Sequence, residues 1–288
     1  MDLDQLKAKR ASIEAMEGLE EPVKKNSLGF LGRAIQSKTT ADQIEQDTKA
    51  LLDKIRSAPD RIKKLQAEVK RPLSSPDPSR LSAGMDLSWV EQKAHQEDLN
   101  LLLAKAALGK WEAELEEERN SPQRIRMETT QANQQLLEIG EELKMAPPQG
   151  EHPLVTDARR TFLLAEKHRC DALLKSQQDR LTHHERLYAL LTAERDAASR
   201  EVANREALVS SWQAQVMKLR QEQATQARED AEAAKKEAPA SLAPIQKELD
   251  INIKFSQDLE RLTKAQTALA ARLESQKKRL QELEEEFA

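Results

Sequence analysis

Residues 154–238 have the sequence LVTDARRTFLLAEKHRCDALLKSQQDRLTHHERLYALLTAERDAASREVANREALVSSWQAQVMKLRQEQATQAREDAEAAKKEA, without glycine or proline. Apolar residues recur in it at alternating spacings of three and four. Ten of fourteen positions are apolar in two series: Leu174, Leu181, Tyr188, Arg195, Val202, Val209 and Val216, and Gln177, His184, Leu191, Ala198, Arg205, Trp212 and Leu219. This pattern predicts a long coiled-coil helix whose apolar seam the remaining helices must cover.

The composition of the whole chain agrees with long helices. Charged residues make up 33% of the sequence and aromatic residues only 3%, a profile typical of extended helices. The net charge is −4 and no basic block occurs, which argues against a nucleic-acid partner. No apolar run approaches the roughly 18 residues of a membrane span. The first residues lack the apolar core of a signal peptide. We therefore expect either a cytosolic protein or a fragment without its targeting and membrane segments.

Residues 1–70 are predicted to hold N-terminal helices and a first helical hairpin. A helix over residues 2–20 should end at Pro22, because a residue before proline avoids the helical region. A loop through Gly29 and Gly32 should follow, and the Thr40–Gln43 pair resembles the capping box of a new helix. Pro59 is expected to interrupt that helix.

The rest of the chain divides by its prolines into four further segments. Residues 71–85 form a linker. Residues 86–145 form a second hairpin, which begins at a Ser88–Glu91 capping box. This hairpin turns at residues 120–122, and Pro122 begins its return helix. Residues 146–153 form a second linker, and 154–288 the long helix with an antiparallel return helix. The similarity of residues 58–63 to residues 121–126 supports two hairpins of one plan. The predicted fold is all-α, with stacked helical hairpins and a long antiparallel coiled coil.

The return helix carries its own seam, expected to pack on the long helix around residues 191–219. Its two series are Phe255, Leu262, Leu269, Gln276 and Leu283, and Leu259, Gln266, Leu273, Leu280 and Phe287. Tryptophans at seam positions are more typical of core anchors than of ligand-stacking residues. The candidate structural residues of the whole chain are Trp111, Leu115, Pro122, Leu181, Leu191, Trp212, Phe255, Leu259 and Leu273.

No catalytic, cofactor or metal site is predicted. Cys170 is the single cysteine, which excludes an intrachain disulfide; neighbouring basic residues could lower its pKa, but no partner base is identifiable. His183 and His184 are adjacent on a helix and diverge by about 100°, so they cannot share a metal as residues four apart could. Residues 116–118, three glutamates, are expected to be solvated. No phosphate loop, GxSxG or HExxH motif occurs, and we predict no enzyme and no cofactor.

Several stretches resemble the periplasmic porin-like region, the MscS-porin domain, of large mechanosensitive channels of the potassium-dependent KefA type. They are residues 51–65 with the turn at 55–62, residues 101–124 with the turn at 120–124, residues 186–234 around Trp212, and residues 244–287. Together they cover most of residues 40–288. These stretches are coiled-coil patterns with conspicuous turn residues, and none of them is a catalytic motif.

The resemblance implies an extramembrane part of a bacterial inner-membrane channel subunit. It implies a periplasmic location, pore helices downstream of Ala288, self-association through the full-length channel, and no cofactor. A mechanical role, with contacts to the cell wall or outer membrane, is our hypothesis. One alternative is a cytosolic coiled-coil scaffold or tether, which would have the same composition. A second is a periplasmic adaptor hairpin of an efflux or secretion system, which would normally carry a β-rich domain; no alternating β-pattern is visible.

Overall fold

The computed structural model describes residues 2–72, 80, 84–237 and 243–286. These residues form five α-helices and no strand: α1 (Leu3–Glu14), α2 (Glu21–Val69), α3 (Leu87–Lys144), α4 (Pro153–Glu237) and α5 (Ala243–Glu286). The all-α prediction is confirmed, and residues 154–237 of the stretch without glycine and proline lie in one helix, α4, which has 85 residues.

Helix α1 has 12 residues and begins at a capping box. Asp2 and Gln5 form a reciprocal capping box at its N-terminus, which satisfies two backbone donors that have no partner within the helix. Leu6 and Ile13 are buried. The helix ends at Glu14 rather than near residue 20, and Gly18 takes a positive φ of 79° in the turn that follows.

Helix α2 corrects the prediction for residues 21–70. Pro22 begins the helix rather than ending one, because the first turn needs no backbone N–H from that position. The expected loop through Gly29 and Gly32 is helical, and Thr40 lies inside the helix, where its hydroxyl donates to the carbonyl of Gln36 at 3.0 Å. Pro59 is also inside the helix, so the predicted first hairpin is wrong.

Helix α3 corrects the second predicted hairpin in the same way. Its 58 residues run through Pro122 without a turn at 120–122. Asp86, rather than the predicted Ser88–Glu91 box, accepts from the backbone N–H of Trp89 at 3.1 Å. The hydrogen bond from the Ser88 hydroxyl and then this backbone contact lower the pKa of Asp86. Proline costs about 3 kcal/mol in a helix interior, and the helix nevertheless continues past Pro122 to the buried Ile125.

The chain divides into two compact units, and the first comprises residues 1–70 and 109–197. Within it α2 runs parallel to α4, since Ser37 contacts Glu166 and Arg61 contacts Glu194. Helix α3 runs antiparallel to α4. Its contacts with α4 pair Gln135 with Arg169, Glu128 with Gln177 and Glu118 with Arg180.

The second unit comprises residues 71–108 and 198–288. Its core joins Val90 and Ala94 of α3 to Trp212 and Val216 of α4, and Trp89 meets Trp212 edge-on with ring centroids 6.1 Å apart. An antiparallel course of α3 along α4 follows from the Glu97–Arg205 and Glu91–Arg220 ion pairs.

Helix α5 also runs antiparallel to α4 within this unit. Glu260 accepts from Thr225 and Arg228, and Asp250 pairs with Lys235. The return helix therefore contacts α4 near residues 225–235, not around the predicted residues 191–219.

The predicted linkers are covered unequally by the structure. Residues 145–152 lie between α3 and α4 and are not helical, whereas the predicted second linker has the bounds 146–153. The first linker, 71–85, falls largely on residues outside the described ranges, as does Phe287. The division into five segments stays a prediction, although its two internal hairpin turns are wrong.

Candidate functional site: ion networks along α4

The most completely buried charge of the described residues is Glu118 on α3, whose side chain is 1% exposed. Its carboxylate lies 2.6 Å from Nη2 of Arg180 and 2.8 Å from Nδ1 of His184. Arg180 and His184 are four residues apart on α4, so one helical face presents both to the same carboxylate. The expectation that residues 116–118 are solvated is wrong at Glu118.

Glu118 is buried because of its position on α3. It lies seven residues before Ile125, which is followed at the same spacing by Ala132 and Ile139, all three buried. A carboxylate at such a position is tolerated only when it is paired and hydrogen-bonded. Arg180 and His184 supply that pairing. Ser121 is fully buried next to this network, and its hydroxyl has no hydrogen-bond partner.

A second network connects α4 to both neighbouring helices of the first unit. Glu166 accepts from Ser37 of α2 at 2.6 Å and from Arg169 at 2.5 Å, and Arg169 donates to Gln135 of α3 at 3.0 Å. Burial pushes the pKa of Glu166 up, but the hydrogen bonds from Arg169 and Ser37 outweigh it and hold that pKa below its usual value.

Cys170 lies beside this network and is fully buried. Burial raises the pKa of its thiol, and the opposing charge of Arg169 does not overcome burial. Its sulfur lies 3.5 Å from Oε1 of Gln135. A raised pKa disfavours the nucleophilic thiolate, so the basic neighbours do not activate this cysteine.

One group of potential metal ligands occurs among the described residues. Asp42, Glu45 and His168 place one ligand atom each within 4.8 Å of one another. The ammonium of Lys38 lies 2.5 Å from Oδ1 of Asp42 and 3.2 Å from Nε2 of His168. A protein cation thus already supplies the positive charge there. The tandem His183–His184 pair forms no such group, since His184 faces Glu118.

An open cleft of about 470 Å³ in the first unit is lined by aromatic and charged side chains of α2, α3 and α4. The guanidinium of Arg33 lies 4.6 Å from the ring centroids of both Phe30 and Phe162, which are themselves 6.2 Å apart. Such cation–π stacking stabilises the charge by about 0.5–1 kcal/mol per ring at exposed sites. The cleft therefore holds its own cation rather than presenting an empty aromatic cage.

The predicted structural residues fall into three groups. Leu191 and Trp212 are buried, at 3% and 5% exposure. Four others are partly buried: Trp111, Leu115, Pro122 and Leu181. Three on the return helix are exposed: Phe255, Leu259 and Leu273. The structure thus joins Trp212 to a core and leaves the three return-helix residues more than half exposed.

None of the described helices contains a stretch apolar enough to span a lipid bilayer.

The family model of the mechanosensitive ion channel porin domain matches residues 11–247. Comparisons with curated proteins and with solved structures give no match. The matched range includes α2, α3 and α4 completely, together with both ion networks. The chain therefore belongs to the family of the mechanosensitive ion channel porin domain.

Proposed function

We propose that this chain is a non-enzymatic periplasmic module of a bacterial MscS-family mechanosensitive channel, with a structural, force-coupling or regulatory role. The observation that carries the proposal is the family match over residues 11–247. The fold supports it, since the matched helices are long and are joined laterally along their length.

In this proposal, the contacts between α4 and its neighbouring helices transmit force through the module. Helix α4 takes part in both compact units. A hydrogen bond from Ser37 to Glu166 joins it to a neighbouring helix, as do ion pairs at Arg180, Glu194 and Arg205. Exposed pairs contribute little individually, whereas Glu118–Arg180 is buried and sensitive to loss of one partner. A load on one helix is therefore shared by its neighbours through the length of the unit.

The partners follow from the same proposal. The module self-associates through the full-length channel, and the cell wall or the outer membrane is a further candidate contact. The pore itself is formed elsewhere in the protein. No cofactor takes part in this role.

Two other functions have the same helical composition. A cytosolic coiled-coil scaffold would place the chain in the cytoplasm, and a periplasmic adaptor hairpin would place it in an efflux or secretion complex. The family match favours the channel over both.

Location is tested by labelling in intact cells. We would replace Glu112, an exposed residue of α3, with cysteine in the full-length protein and treat cells that have a permeabilised outer membrane with a membrane-impermeant maleimide. Labelling before cell lysis is expected for a periplasmic module. Labelling only after lysis would favour the cytosolic scaffold.

Function is tested by deletion. Removing residues 11–247 from the full-length channel should change the pressure threshold for opening, or its dependence on ions, in membrane patches. A channel of normal abundance with unchanged gating would contradict the proposed role.

A further inference from the structure

The group formed by Asp42, Glu45 and His168 has the composition of a metal site. Asp42 and Glu45 are three residues apart on α2, so both lie on one face of that helix. His168 faces them from α4, with its Nε2 atom 3.8 Å from Oε1 of Glu45. One ligand atom from each of the three residues lies within 4.8 Å of the others. The sequence does not reveal this group, because His168 is distant from the two carboxylates along the chain.

The ammonium group of Lys38 marks the position of a cation between these ligands. Its Nζ atom lies 2.5 Å from Oδ1 of Asp42 and 3.2 Å from Nε2 of His168. An ammonium group donates hydrogen bonds and accepts none, so Nε2 of His168 is the acceptor and carries no proton. The imidazole therefore directs a free lone pair at a cation, as a metal-bound histidine does.

The ammonium group leaves one carboxylate of the group without a compensating charge. Among the described residues, the only ion-pair contact of Glu45 is with His168, whose Nε2 atom is unprotonated when it accepts from Lys38. Asp42 and Glu45 thus contribute two negative charges, and Lys38 contributes one positive charge. A divalent cation in the place of the ammonium group would balance both carboxylates.

Helices α2 and α4 hold the ligands at a fixed separation. Ser37 of α2 donates to Glu166 of α4 at 2.6 Å, and Thr48 of α2 donates to Ser176 of α4 at 2.8 Å. These two contacts lie on either side of the group along both helices. Because the backbones are already joined there, a metal ion has to reorient only side chains.

Small side-chain movements are enough for coordination. Ligand atoms around a tetrahedral zinc ion are roughly 3.4 Å apart, given zinc–ligand bonds of about 2.1 Å. The side chains of Asp42, Glu45 and His168 are 44%, 55% and 42% exposed, so they can rotate to reach that spacing. Their exposure also gives a water molecule access as the fourth ligand.

We propose that Asp42, Glu45 and His168 bind a divalent transition-metal ion of the zinc type, which displaces the ammonium group of Lys38. Zinc accepts one imidazole and two carboxylates as ligands, whereas magnesium and calcium prefer oxygen ligands alone. The bound ion bridges α2 and α4. Lys38 supplies the positive charge when the metal is absent, so the contact between the two helices persists in both states.

Metal binding at this group does not depend on the channel role. A chain that binds zinc here without any change in gating would support this inference alone. A module that alters gating but binds no zinc would support the proposed function alone.

Zinc titration of the intact chain tests the site. Competition with a chromophoric chelator gives the dissociation constant, and a Cys170→Ala background removes the one thiol that could also bind zinc. We expect a micromolar constant that millimolar magnesium does not change. His168→Gln keeps a hydrogen-bond acceptor for Lys38 but removes the imidazole, and it should weaken zinc binding at least about ten-fold. His95→Ala removes an exposed histidine of α3 and is the matched control.

Two results of this titration would overturn the proposal. One is equal zinc affinity of the His168→Gln and His95→Ala variants, and the other is a millimolar dissociation constant for the chain with all three ligands. Circular dichroism checks that each variant stays helical.

Lys38→Met tests the displacement of the ammonium group. Removing a positive charge within about 4 Å of the ion should tighten zinc binding roughly ten-fold or more, whereas loss of a ligand weakens it. A Lys38→Met chain that binds zinc no more tightly than the wild type would overturn the displacement. Zinc should also protect His168, but not His95, from modification by diethyl pyrocarbonate, measured by mass spectrometry. Equal modification of His168 with and without zinc would overturn the assignment of the ligands.

Discussion

Replacing Glu118 with alanine tests the buried ion network most sharply. The substitution leaves the Arg180 guanidinium and His184 without their shared carboxylate. Removing one partner of a buried ion pair costs about 3–5 kcal/mol. The side chains of Arg180 and His184 keep 29% and 24% exposure, so water can solvate them in part. We therefore expect a cost below that range, about 2–3 kcal/mol.

The assay is amide hydrogen exchange followed by mass spectrometry, because it reports the stability of each segment separately. Peptides around Glu118 and Arg180 should exchange roughly 30- to 150-fold faster in the variant, the equivalent of about 2–3 kcal/mol. Peptides of the second unit serve as an internal reference and should be unchanged.

A neighbouring residue provides the control. Glu117 has a side chain 63% exposed and pairs with the exposed Arg124 at 3.2 Å, so Glu117→Ala should cost about 0–0.5 kcal/mol. The double variant Glu118→Leu with Arg180→Leu should recover most of the loss, since apolar replacement of a whole buried pair is often neutral. Equal exchange in the Glu118→Ala and Glu117→Ala variants would refute the reasoning.

Three further predictions follow from the same structure. The thiol of Cys170, buried and with a raised pKa, should react with a maleimide at least ~100-fold more slowly in the native chain than in urea; equal rates would contradict its burial. Because the pKa of Glu166 is lowered in the folded chain, ionised Glu166 contributes to the free energy of unfolding above the usual carboxylate pKa of about 4.3. That stabilisation is lost as the pH falls through the pKa of Glu166 in the folded state. Urea midpoints measured from pH 7 to pH 3 should thus fall less steeply for Glu166→Gln than for wild type, and parallel curves would exclude this contribution. Pro59→Ala should stabilise the chain by about 1–2 kcal/mol in thermal melts, because it restores a backbone donor inside α2. Pro22→Ala is the control in the first turn of α2 and should change stability by less than about 0.5 kcal/mol. Similar effects of the two substitutions would mean that α2 does not continue through Pro59.

The helical class was predictable from the sequence, but the course of α2 and α3 was not predicted correctly. The error came from treating proline as a helix end. The apolar series of α2 passes through Ile55, Ala58, Ile62 and Leu65 at spacings of three, four and three, so its phase is unbroken across Pro59. A true turn would have reset that phase.

The same signal was present in α3 and would have identified the buried glutamate. Its seam passes from Leu115 through Glu118 and Pro122 to Ile125 at spacings of three, four and three. Glu118 therefore occupies a seam position, which the run of three glutamates concealed. What the sequence could not supply is the partner of that charge, because Arg180 is more than sixty residues away and its position depends on how α3 packs on α4.

For the return helix, α5, the sequence pattern was read correctly but its packing partner was not. Its heptad seam was recognised correctly, but periodicity identifies a face and not the helix that covers it. Glu260 and Asp250 contact α4 through hydrogen bonds and ion pairs, and both lie outside the apolar series.

The most direct test of the proposed function is the opening threshold of the full-length channel after a break is introduced in α4. Four residues, Gly-Ser-Gly-Ser, inserted after the exposed Asp196 would interrupt the helix that takes part in both units, and the same insertion in the non-helical segment 145–152 is the matched control. We predict a shifted pressure threshold for the α4 insertion and an unchanged threshold for the control. Unchanged thresholds in both channels, at normal abundance in the membrane, would contradict a force-coupling role for this module.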